Sequence, residues 1–166
     1  MKPSTKTVII AIILSIALFV VGQYTWGKLF FLLLPIVGDV KYFETSLNGH
    51  FINSMMFSLT LALIPIATII IWRFAPVIKA QRKILTVCII VLVVTISVLV
   101  RREMIKSRAR HLQPTTVLDY TDPANPQPKT IERGIPVSTL NFELFALAGL
   151  VIGSVVSFFS FRQKTT

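Results

Sequence analysis

The sequence predicts an all-α integral membrane protein, a four-span transmembrane helical bundle with a Pro-rich extramembrane loop between spans three and four. Three observations predict it. Residues 51–72 and 84–100 are charge-free apolar segments joined by a bend that holds Arg73, Lys79, Arg82 and Lys83 and no acid. Further long apolar runs lie at 7–38 and 140–161. Hydrophobic residues make up 54% of the chain and charged residues 14%, against about 25% charged in soluble domains. About 20 apolar residues at about 1.5 Å each cross a hydrocarbon core of about 30 Å. A chain of 166 residues is not expected to supply enough surrounding protein to bury helices that are apolar on every face.

The chain is treated as one transmembrane domain. The first span is expected at about residues 7–26, an uncleaved helix following Lys2 and Lys6, since no Ala-x-Ala stands near its end. Gln23, Tyr24 and Trp26 suit the interfacial level. Residues 27–38 are too short to span alone. They admit three readings: a continuation of span one, an interfacial helix, or a re-entrant piece. An interfacial or protruding segment is expected, ending at Pro35, because a continuous helix over 7–34 would be about 42 Å long. A polar linker follows, with Asn48-Gly49 as its turn. Span two, 51–72, contains Pro65, which removes a backbone donor and is expected to bend the helix. Span three, 84–100, is rich in β-branched residues. Their modest helix propensity matters little where an unpaired backbone group costs far more. Residues 101–139 form the long polar loop, whose first part can continue span three as a helix. Its five prolines, Pro114, Pro123, Pro126, Pro128 and Pro136, exclude a long helix in the remainder. Span four is expected at 140–161.

The formal net charge is +10, from seventeen Lys plus Arg against seven acids. The basic residues gather beside the apolar runs, where anionic head groups account for them more simply than nucleic acid does. With four spans and both termini on the cytoplasmic face, eight basic residues fall inside and nine outside. That count opposes the positive-inside bias. The residues responsible are Arg101, Arg102, Lys106, Arg108 and Arg110. Both termini are nonetheless expected to be cytoplasmic, because the short terminus and short bend weigh most and the outer linker spreads its charge.

That cluster is the first candidate site. On a helix, Arg102, Lys106 and Arg110 share a face at i,i+4 spacing, which suits an anionic partner: lipid head groups, lipopolysaccharide phosphates or an acidic protein surface. The plainer account is head-group contact at a helix end. Glu143 stands at the edge of span four. Either the helix dipole favours it there, or it is an intramembrane carboxylate that forms an ion pair with an Arg or Lys or carries a proton. Gly149, Gly153 and Ser157 recur every four residues, a pattern that admits a second helix at close range. Nothing indicates catalysis or a cofactor. His50 and His111 sit in different linkers, and the one cysteine, Cys88, lies within span three. Asp119, Asp122 and Glu132 have no metal-ligand spacing.

Three function classes remain. The expected one is a non-enzymatic accessory or regulatory subunit of a bacterial inner-membrane complex, working through helix packing, an anionic contact and another membrane protein. A membrane immunity or exclusion protein against an incoming toxin or conjugation partner is the second. A small transporter is the third, and the scarcity of polar residues within the spans counts against it.

Overall fold

The computed structural model describes residues 5–38, 40–43, 49–74, 80–112, 115–119, 127–131 and 134–161, without the side chains of 49, 80–82, 115–119 and 127–131. Four helices are long and apolar enough to cross a membrane. They are α1 (Thr5–Leu33), α2 (Gly49–Phe74), α3 (Ala80–Arg110) and α4 (Phe142–Phe161). The protein is a multi-pass bundle of four transmembrane helices.

Within hydrocarbon every backbone N–H and C=O must be paired inside its own segment, so an apolar run stays helical until something breaks it. In α1 nothing does before Pro35. The 29-residue helix includes residues 27–33, and Leu34 N still donates to Phe30 O at 3.1 Å. The segment that the sequence suggested as interfacial or protruding is thus, as far as Leu33, the end of the first helix. Beyond it Gly38 takes φ +48°. In the same way α3 runs on through the basic cluster to Arg110, for 31 residues. At about 46 Å it outreaches the hydrocarbon, and its last turns stand in the polar layer. Helix α2 continues through Pro65 without interruption. The hydroxyls of Thr25, Ser58, Thr60, Thr68, Thr95 and Ser154 each donate to the carbonyl four residues back, at 2.7–2.9 Å. That is how a hydroxyl is satisfied where water is absent.

The bundle is two helical hairpins placed side by side. Helix α1 packs on α2, α3 on α4, and α2 on α4. Each hairpin is held by a glycine. A Cβ on Gly22 would lie 2.8 Å from the Ser58 Cα, and one on Gly149 would lie 2.7 Å from the Val94 Cα. Both approaches are possible only without a side chain. At Gly153 the nearest atom, the Ile90 Cα, is at 3.0 Å. At one end an aromatic cluster joins the hairpins: Trp26 meets Phe57 at 4.8 Å between ring centroids, and Phe30 meets Phe142 edge-on at 6.2 Å. On the other side of α2, helices α1 and α3 leave between them a groove of about 650 Å³.

The linkers at the aromatic end contain short strands that the sequence reading did not anticipate. Strand β1 (Lys41–Phe43) pairs in parallel with β4 (Gly134–Pro136), with Tyr42 opposite Ile135. The Tyr42 hydroxyl donates to the Pro35 carbonyl at 2.7 Å. Strands β2 (Thr115–Asp119) and β3 (Gln127–Ile131) form an antiparallel pair with Pro128 in it. A proline is tolerated there because each strand is an edge. A 3-10 turn, Val137–Thr139, leads into α4 through Asn141 at φ 53°, a left-handed conformation that asparagine adopts more readily than most residues. The expected Asn48 turn, Lys79, Pro114, Pro123, Pro126 and the tail from 162 lie outside the described residues.

Gly22→Ala and Gly149→Ala are expected to destabilise the bundle by about 1–3 kcal/mol each, the usual cost of overpacking. Gly27→Ala meets nothing within 4 Å and is expected to be neutral or stabilising by up to about 1 kcal/mol. Gly153→Leu is expected to be worse than Val156→Leu, whose side chain is exposed. Thermal melting in detergent measures all of these. Equal melting points for the Gly27 and Gly149 variants would refute close packing.

Candidate functional site: the basic end of α3

The apolar span of α3 ends at Val100, and the next ten residues, RREMIKSRAR, change the character of the helix. Within them Ile105 (4% exposed) and Ala109 (0%) are buried four residues apart. This part is amphipathic, and its apolar edge keeps it docked while the basic residues spread over the rest. Arg108 and Arg110 are exposed and lie in the last turn, where cations complement the helix dipole. Arg102 and Lys106 are half-buried. Both reach the exposed Glu103, Arg102 Nη1 at 3.6 Å and Lys106 Nζ at 3.7 Å. Ion pairs this long and this wet contribute about 0–1 kcal/mol. The stripe predicted at 102, 106 and 110 is therefore divided, its first two members half-buried and its third exposed.

Arg101 has a separate role. Its Nε donates to the Leu140 carbonyl at 2.7 Å and its Nη2 to the Thr139 carbonyl at 2.7 Å. Its guanidinium lies over the Phe145 ring at 5.0 Å. One planar fork thus ties the end of span three to the start of span four, and these carbonyls, at the end of the 3-10 turn and ahead of the first α4 bond at Asn141, take no donor from a helix. The sequence reading grouped Arg101 with the partner-binding cations. Its neighbour Arg102 looks identical in sequence, and carbonyl partners nearly forty residues away leave no side-chain signature.

Glu143 is 5% exposed in the first turn of α4, where the dipole favours a carboxylate. The Arg101 charge acts on it electrostatically. Among the described residues no ion pair within 4.0 Å reaches it. Gly149 and Gly153 face α3, as described above. Ser157, farther along the same stripe, is fully buried, and its hydroxyl has no hydrogen-bond partner among the described residues. Gly22 and its contact with Ser58 went unnoticed in the sequence, because a single small residue with no counterpart four positions on carries no pattern.

Tyr42 packs toward the same end. Burial raises its hydroxyl above the usual phenol range, and the Arg102 charge pulls it partly back. His50 lies in the aromatic cluster, 5.5 Å from the Phe30 centroid, and His111 is exposed at the end of α3. No group of three or more His, Cys, Asp or Glu is gathered among the described residues. Asp122 and Glu132 lie outside them, as does the Asp119 side chain.

The chain matches no protein-family model, no curated protein and no solved structure. What the fold defines is a packed four-span membrane protein with a cationic helical extension at one end.

Arg101→Lys keeps the charge but loses the fork. It is expected to lower stability by about 1.5–3 kcal/mol, the range for hydrogen bonds to a charged group. Arg108→Lys, at an exposed position, should stay within about 0.5 kcal/mol. Equal melting temperatures for the two variants would remove Arg101 as the clamp.

Proposed function

We propose that the protein is a non-enzymatic accessory or regulatory subunit of a bacterial inner-membrane complex, docking an anionic surface of another membrane protein with the end of α3. One observation carries this reading. Arg108 and Arg110 are exposed on a rigid helix that extends beyond its span, and the nearby acid, Glu103, already faces Arg102 and Lys106. A fixed cationic surface of this kind steers and orients an acidic partner. The apolar segments 7–26, 51–72, 84–100 and 140–161 hold a single acid, Glu143, at one edge, which favours a packing role over transport. A membrane immunity or exclusion protein would use the same surface toward an incoming toxin or conjugation partner.

In the proposed orientation Arg73 and Lys83 face the cytoplasm with both termini, and the end of α3 faces outward. With Cys88 replaced, a cysteine at position 108 should react with a membrane-impermeant reagent added to intact cells, and one at 73 should not. The reverse pattern would invert the topology.

The double variant Arg108→Gln, Arg110→Gln should insert and fold but co-purify less partner at low salt. The difference from the parent should fade near 1 M salt, where the screening length falls to about 3 Å. Equal recovery of partner at low salt would dismiss the docking surface. Loss of protection against a toxin without any stable co-purifying subunit would favour the immunity reading.

A further inference from the structure

We infer that the groove between α1 and α3 seats an acyl chain of an anionic phospholipid whose phosphate is held by Arg102 with Lys106 beside it. The groove is lined by Leu18 and Leu29 of α1, Leu61 and Pro65 of α2, and Val91 and Val98 of α3. Its long walls are almost wholly apolar, so its contents are hydrocarbon. Ile10, Leu14 and Val91 on its two rims are exposed, so the groove opens toward the bilayer, where acyl chains are the surrounding solvent.

The register of α3 sets what stands at the end of the groove. Val91, Val98 and Arg102 follow one another on the same side of the helix, at steps of seven and four residues. One turn farther, Ile105 and Ala109 are buried in the protein and close that side. The register therefore places Arg102 one turn beyond Val98 and Leu99, the last α3 residues that line the groove. It stands two positions past the last apolar residue of the span, at head-group depth. Its side chain is half-buried, and its Nε is buried with no hydrogen-bond partner among the described residues. Its one described ion pair, to Glu103, is 3.6 Å long. Leaving a buried guanidinium donor unmatched is costly, and a phosphate offers the planar fork the acceptors it lacks. Among the described residues Arg102 and Lys106 share the Glu103 carboxylate, which leaves one positive charge in that group. That remainder favours an anionic head group over a zwitterionic one. The site is separate from the exposed Arg108 and Arg110 surface, and either can fail without the other.

Native mass spectrometry of the full chain in mild detergent tests the site, with phosphatidylglycerol and phosphatidylcholine of matched chains as probes. The parent should retain one phosphatidylglycerol in preference to phosphatidylcholine. Arg102→Gln should weaken phosphatidylglycerol binding about tenfold, the equivalent of one charge-assisted hydrogen bond, and erase the preference. Val91→Trp places bulk in the groove from an exposed position and should abolish retention of both lipids. Arg110→Gln should change neither. Melting without lipid checks that each variant folds. If Arg102→Gln does not fold, Val91→Trp decides alone, and unchanged retention in it overturns the site. An equal loss in Arg110→Gln would also overturn it, by showing diffuse head-group attraction.

Discussion

The bundle depends on backbones coming close at two glycines. In a bilayer the lipid tails are as apolar as leucine, so burying one leucine against another gains little. Dispersion between closely fitted surfaces must hold the helices together. Gly22 lets α1 settle against the Ser58 backbone, and Gly149 lets α3 and α4 meet at Val94. The contact between α2 and α4 joins the two hairpins, and the aromatic cluster of Trp26, Phe30, Phe57 and Phe142 closes one end. The groove is a by-product of this arrangement. When α1 and α3 are each drawn to a different partner, neither fills the space in front of α2.

The basic residues after span three look equivalent in sequence but differ in their surroundings. Arg101 is committed to the Thr139 and Leu140 carbonyls. Arg102 and Lys106 are half-buried around Glu103, and Arg108 and Arg110 are exposed. The 3.6-residue period distributes ten consecutive positions around the helix, and the docked edge at Ile105 and Ala109 determines which are covered.

The four spans were legible because hydrocarbon imposes one requirement, an unbroken apolar helix, and the sequence states it directly in 51–72 and 84–100. The Gly149 and Gly153 contact was legible because its period matches the helix. What stayed hidden depends on partners far apart in the chain. Gly22 needs Ser58, Arg101 needs two backbone carbonyls, and β1 needs β4. The extent of α1 was ambiguous for another reason: composition marks where a helix leaves hydrocarbon, whereas Pro35 marks where it must stop, and the two positions differ.

The parallel pairing of Lys41–Phe43 with Gly134–Pro136 has a consequence for assembly. The first strand emerges early, but its partner is made only after α2, α3 and the long polar loop. At roughly 5–20 residues per second, the gap between them lasts on the order of ten seconds. Throughout that interval Tyr42 and Phe43 present an unpaired edge at the membrane surface while the first hairpin is already able to form. The strand pair can therefore close only when residues 134–136 emerge, just ahead of α4, so one short contact ties the first linker to the last.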